Sequence, residues 1–186
     1  MLLQQAETIC SSGFKPDVIV GVSRGGWIPA RVLSDLLENP NLANVKVECY
    51  MGINEMKEAP TLTQSLSAEV KGKKVLVVDE VSDWGKSLTL VAAHVMERGA
   101  REVKTATLYY KPWSAFKPDY YGAKTRRWIV FPWEIHETVK HIYEVHKSNP
   151  ARVKEELAKL AEAGVPKQLI NRFMEDSHEA RKSKKC

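Results

Sequence analysis

Val75-Leu76-Val77-Val78-Asp79-Glu80-Val81-Ser82-Asp83-Trp84-Gly85-Lys86-Ser87 is the stretch whose reading decides the fold. Its first four residues are apolar and mostly β-branched, the pattern of a buried strand. Two adjacent carboxylates stand where that strand ends, and a short loop then carries a third acid, a glycine, a lysine and a hydroxyl. Leu88, Val91, Ala92, Val95 and Met96 follow at helical spacing, so the loop feeds a helix. Strand, loop and helix in this order aim backbone N–H groups and the positive helix end at one point, which suits a phosphate. Gly85 permits close backbone approach, while Lys86 and Ser87 add donors. Paired carboxylates beside such a cradle suit sugar hydroxyls or a hydrated divalent cation.

A nucleoside-triphosphatase P-loop fails on spacing. That motif needs a glycine five positions before Gly85, where Glu80 stands, and its acidic strand normally comes from elsewhere in the chain. A merely solvated acidic turn leaves the number of fitting positions without a reason.

The chain has 186 residues and 44% hydrophobic content, enough for one core and a small extension. It has no apolar run long enough for a membrane span. The first twelve residues lack the basic region and apolar stretch of a signal peptide. Cys10, Cys49 and Cys186 are odd in number and widely spaced, which points to a reducing cytoplasm, with Cys10 and Cys49 expected as buried small residues. Much of the net charge of +5 sits in Arg181-Lys182-Ser183-Lys184-Lys185, expected as a solvated, frayed end rather than a nucleic-acid surface.

Along the chain, Leu2, Leu3, Ala6 and Ile9 make a helical stripe closed by Gly13. Residues 17–22 read as the first buried strand, followed by Ser23-Arg24-Gly25-Gly26 and a helix with Ile28, Val32, Leu33, Leu36 and Leu37. This is a second strand, glycine loop and helix, with Arg24 adding a cation. Residues 45–50 alternate like a strand. Residues 51–67 have no clean period and are long for a plain connection, so a flexible functional loop is expected there. Residues 103–110 make the fourth strand, residues 113–122 an irregular aromatic stretch, and residues 128–131 a last strand leading to Glu134. Three helical stripes follow: Ile135, Val139, Ile142 and Tyr143; Val153, Leu157, Leu160 and Ala161 after the Asn149-Pro150 cap; and Leu169, Ile170, Phe173 and Met174 after Pro166. His136, His141 and His146 recur every five residues, which does not place them on one helical face, so they read as surface residues.

The central stretch resembles the phosphoribosyl-pyrophosphate (PRPP) fingerprint of the type I phosphoribosyltransferases, and the resemblance extends over roughly residues 14 to 134. It implies an α/β fold, a parallel β-sheet flanked by helices, with a core at residues 1–134 and a helical extension at 135–186. It also implies ligands at the carboxyl ends of the strands. By the same resemblance, residues Asp83, Trp84, Gly85, Lys86 and Ser87 bind the 5′-phosphate. Ser23, Arg24, Gly25 and Gly26 bind pyrophosphate, often through a non-proline cis peptide. Asp79 and Glu80 hold the ribose hydroxyls and Mg²⁺. Asp83 is where adenine and orotate members usually carry Ala or Ser, whereas 6-oxopurine members place Asp near purine N7.

Tyr110-Lys111-Pro112 resembles the 6-oxopurine members too, in which the lysine donates to purine O6. Trp128 stands at their base-stacking position, with Ile129 and Glu134 completing a purine-binding set. The implied reaction is purine base plus PRPP giving a nucleoside monophosphate and pyrophosphate, in a cytoplasmic purine-salvage transferase that is a dimer. Trp84 departs from the family's usual Thr and removes a hydroxyl from the phosphate cradle. No catalytic residue is assigned within residues 51–67. Adenine as the base, and a regulator that senses PRPP or nucleotides, are the alternatives. A base panel separates the first, and salt-dependent nucleic-acid binding the second.

Overall fold

The computed structural model describes residues 1–50 and 59–182. In chain order its elements are α1 (Leu2–Ser11), β1 (Val18–Ser23), α2 (Trp27–Leu36), β2 (Leu42–Tyr50), β3 (Ala59–Gln64), β4 (Lys74–Ser82), α3 (Lys86–Glu97), β5 (Glu102–Tyr110), β6 (Tyr120–Lys124), α4 (Ile135–His146), α5 (Pro150–Glu162) and α6 (Lys167–Lys182). The strands form one sheet in the order β3-β2-β1-β4-β5-β6. All neighbours are parallel except β2 and β3, which pair antiparallel. The fold is therefore α/β as expected, but the sheet is mixed rather than wholly parallel.

Alternation along the central strands sorts their side chains onto two faces. Val18, Val20, Val22, Val75 and Val77 pack with Leu88, Val91 and Val95 of α3. Ile19, Leu76 and Val78 face the other way, against Ala6 and Ile9 of α1 and Ala30 and Leu33 of α2. Both faces are covered, which is why β1 and β4 read as continuous apolar runs. Each valine buried in this way stabilises the fold by about 1.5–3 kcal/mol.

The chain divides into two compact units, Met1–Arg127 and Trp128–Cys186. The second is helical, with Val139, Leu160 and Ile170 at its core and Ile135, Ile142, Leu157, Phe173 and Met174 packed around them. Asn149 caps α5, its side-chain oxygen accepting the Arg152 N–H at 3.1 Å. Among the described residues, no helix is long and apolar enough to cross a membrane.

Several expectations change. Within the expected loop at 51–67, residues 59–64 form the edge strand β3, while residues 51–58 lie outside the described residues. Residues 128–131 form no strand; the sheet is closed earlier by β6, inside the stretch expected to be irregular. Phe131 is instead buried and stacks on Trp133 with ring centroids 5.1 Å apart, so that apolar run packs rather than pairs. On α1, Gln5 is buried and Leu3 exposed, because the Gln5 amide donates to the Thr107 carbonyl at 2.8 Å. Cys10 is exposed, lying off the face that carries Ala6 and Ile9; the Cys49 side chain lies outside the described residues. α6 carries regular helix through Arg181 and Lys182, and residues 183–186 lie outside the described residues.

Asp119 ties the start of β6 to β5. One of its oxygens accepts the Thr105 N–H and hydroxyl at 2.8 and 2.9 Å, and the other meets Lys104 Nζ at 3.0 Å. Burial pushes the Asp119 carboxyl up, but the Lys104 ammonium and the two Thr105 donors outweigh it and hold it below its ordinary value. The stability this adds is complete above about pH 4, the unfolded carboxylate range, and is lost as pH falls through the lower folded value. Asp119→Asn is expected to destabilise the protein by about 1–3 kcal/mol at neutral pH. The gap from wild type should close in urea unfolding curves taken at progressively lower pH.

Candidate functional site

The order of strands reverses between β1 and β4: from this pair the chain runs outward to β2 on one side and to β5 on the other. In parallel α/β sheets a crevice opens at such a point, beyond the carboxyl ends of the strands. Both glycine-containing loops emerge there. Residues 23–26 follow β1 and residues 83–85 follow β4.

The two loops meet the acids directly. The Ser23–Arg24 peptide is cis. A Cβ on Gly26 would lie 2.5 Å from the Val78 carbonyl oxygen and 2.8 Å from Asp79 Cα. One on Gly25 would lie 2.0 Å from the Glu80 carboxylate. Backbone contact makes glycine obligatory at 26, while a side chain at 25 would push the Glu80 carboxylate from its place beside the loop. Asp79 turns the other way, its Oδ1 accepting the Glu80 N–H at 2.8 Å. Asn44 on β2 donates to Ser23 Oγ at 3.2 Å and so orients the first residue of the loop.

Residues 79 and 81–88 line a cleft of about 170 Å³. Gly85 has φ +80°, the left-handed region, and stands at the N-cap of α3 without a side-chain cap. The start of α3, with its N–H groups and the positive end of the helix, faces this loop in the arrangement that favours an anion. Any Cβ on Gly85 would also lie 2.5 Å from Phe116 Cβ. The segment holding Phe116 is anchored on the same loop, since Ser82 Oγ donates to the Phe116 carbonyl at 2.8 Å.

Lys111 follows β5 beside this cleft, its N–H donating to the Ser82 carbonyl at 3.0 Å. It is 5% exposed, which sets it apart from ordinary surface lysines. Its ammonium donates to the Arg127 carbonyl and lies 5.6 Å from the centre of the Trp113 ring. The Trp113 indole donates to Asp83 Oδ1 at 3.0 Å. Trp84 is 63% exposed, and its ring centroid is 6.4 Å from that of Trp113.

Residues 4–139 match the model of the phosphoribosyl transferase domain. The chain belongs to the phosphoribosyl transferase family. A purine phosphoribosyltransferase from Pyrococcus horikoshii is 45% identical and superposes with a TM-score of 0.66, covering 71% of this chain and 86% of that one. The hypoxanthine-guanine phosphoribosyltransferase of Schizosaccharomyces pombe is 28% identical across 79% of this chain and 90% of its own length. A Neisseria gonorrhoeae protein crystallised with bound ppGpp is 28% identical, with a TM-score of 0.62 over 72% of this chain and 82% of that one.

Against the family pattern, the Met1–Arg127 unit brings together residues 23–26, Asp79, Glu80, Asp83, residues 84–87 and Lys111. Trp128, Ile129 and Glu134 belong to the other unit. There Trp128 is 77% exposed, and with Glu134, Val130, Thr138 and His141 it lines a cavity of about 500 Å³. Glu134 stands at the N-cap of α4, where its carbonyl accepts the Thr138 N–H at 2.8 Å. A cleft of about 960 Å³, lined by Phe14, Asn39, Lys73 and Arg101 among others, touches none of these residues. Sequence reading missed Asn44 and Trp113; Trp113 sits two residues beyond Lys111, a proximity that was visible, but its bond to Asp83 spans 30 positions.

Gly85→Ala combines a left-handed φ with a collision against Phe116. It is expected to cost about 1–3 kcal/mol in thermal unfolding and to weaken PRPP binding measured by calorimetry.

Proposed function

We propose that this chain is a purine-salvage phosphoribosyltransferase that joins a 6-oxopurine base to PRPP and releases a nucleoside 5′-monophosphate and pyrophosphate. The observation that carries the reading is the seating of residues 23–26 on the acidic end of β4, with the anion cradle and Lys111 at the adjoining strand ends. Relatives named for hypoxanthine-guanine and xanthine-guanine transfer support the base class. So does the similar chain that holds ppGpp, a guanine nucleotide.

The 5′-phosphate sits in the cradle of residues 83–87, at the N-terminus of α3. Pyrophosphate lies along residues 23–26, with Arg24 adding charge. Asp79 and Glu80 hold the ribose hydroxyls, next to the positive charge that develops on the ring as the C1′–oxygen bond breaks. Purine N9 forms the new bond to C1′, the electron pair of the broken bond leaves with pyrophosphate, and Asp83 takes the proton from N7. Lys111 donates to O6 with an ammonium hydrogen not directed at Arg127. By the family resemblance, Trp128 is the residue proposed to stack on the base, with Ile129 and Glu134 proposed at its edge. Binding energy at the remote phosphate holds the reacting atoms in place.

The donor set at Asp79 and Glu80 fits Mg²⁺: both are hard oxygen ligands, and Glu80 lies against the loop proposed for pyrophosphate. Among the described residues no cluster of three or more His, Cys, Asp or Glu is present, so the remaining ligands are substrate oxygens and water. When bound, the ion neutralises the leaving pyrophosphate. A cytoplasmic location and a dimer, the latter implied by the family resemblance, belong to the same proposal.

Product formation from PRPP and Mg²⁺ with guanine, hypoxanthine, xanthine, adenine, uracil and orotate tests the reading. Turnover of one or more 6-oxopurines is expected, with loss of activity on chelation. Adenine alone would replace the base assignment. Lys111→Ala should lower kcat/KM for the base about 10–100-fold while PRPP affinity by calorimetry holds. Unchanged efficiency in that variant rejects the O6 role.

A further inference from the structure

We infer that Trp113 is a positioning residue that decides which oxygen of Asp83 serves the purine and how far that carboxylate stands from Lys111. This rests on the base-site reading above. Indole nitrogen can only donate, so Asp83 Oδ1, 3.0 Å from Trp113 Nε1, must accept, which favours Oδ2 as the oxygen that takes a proton. Without that bond, rotation about the carboxylate's own axis would leave the two oxygens equivalent and the proton-accepting position undefined.

The same indole reaches the other two groups of the site. Its face lies 5.6 Å from the Lys111 ammonium, within the range of a cation–π contact. Its ring lies 6.4 Å from that of Trp84, tilted by 49°. Asp83 and Lys111 are the groups assigned to N7 and O6, of which O6 distinguishes a 6-oxopurine from adenine. One rigid ring spaces both.

The backbone keeps that ring in place. Pro112 fixes φ just before it, the Ser114 N–H donates to the Lys111 carbonyl at 3.0 Å, and the Ala115 N–H donates to the Trp84 carbonyl at 3.3 Å. The turn carrying Trp113 is thus tied at one end to Lys111 and at the other to the phosphate loop. A tryptophan serving only as surface packing requires neither its N–H nor this double tether, and Trp113 is 41% exposed.

A double-mutant cycle tests the inference, using the wild type, Trp113→Phe, Asp83→Asn and the combined variant with the preferred base and PRPP. Trp113→Phe keeps an aromatic ring toward Lys111 and Trp84 and removes the N–H together with the indole's second ring. It is expected to lower kcat about tenfold, as for loss of a charged hydrogen bond, without changing KM for PRPP. In the Asp83→Asn background the same substitution should add little, because its effect passes through the carboxylate. Trp113→Phe as active as wild type, or a loss that multiplies in full with that of Asp83→Asn, overturns the inference and leaves the activity standing. Wild type inactive on all six bases rejects the activity and this inference together. If Trp113→Phe does not fold, Trp113→Leu is judged by the same coupling.

Discussion

The contact on which the site depends is backbone against backbone, where the loop after β1 sits on β4 at Val78 and Asp79. Gly26 approaches the Val78 carbonyl and Asp79 Cα so closely that no side chain fits between them. Because β1 and β4 are the pair at which the strand order reverses, this contact joins the two halves of the sheet at its crevice. Everything else is set relative to it. Glu80 lies against Gly25, the anion cradle opens one loop further on, and β5 brings Lys111 to the carbonyl of Ser82. Alternation does the rest: Val78 and Glu80 project toward the α2 side and Val77 and Asp79 toward α3, so the two neighbouring acids flank the strand end.

This geometry sets an electrostatic problem and implies its solution. Two carboxylates beside two anion-binding loops repel a substrate that carries several phosphates. Under the proposed reaction, positive charge on a divalent cation and then on the ribose ring would lie between them and make the arrangement productive. Charge that appears at the moment of bond breaking is what preorganised carboxylates stabilise best. The acids are thus a poor anion site and a good transition-state site, which favours catalysis over simple sensing of the ligand.

The aromatic residues around the cradle give the site its individual character. Trp84 stands where a hydroxyl is usual in the family, and Trp113 connects it to Asp83 and Lys111. The two indoles and the Ala115 N–H bond to the Trp84 carbonyl tie the proposed phosphate loop to the segment following β5. In the proposed site, the 5′-phosphate is left to the N–H groups at the start of α3 and to Lys86.

Sequence alone determined what is local. The four-residue apolar run, the adjacent acids, Gly85 and the helical spacing after it specify a strand, an anion loop and a helix, because each depends on neighbours in the chain. The glycines at 25 and 26 and the Asn149 cap were legible for the same reason. The tertiary structure decided what depends on distant residues. β3 pairs only because β2 offers it an edge, and β6 forms inside an aromatic stretch because Asp119 captures Thr105 on β5. Cys10 lies outside and Gln5 inside because α1 meets the Thr107 carbonyl, a partner 102 positions away from Gln5. The bond from Trp113 to Asp83 has the same origin. Spacing reports which way a residue faces on its own element, and only packing reports what that face meets.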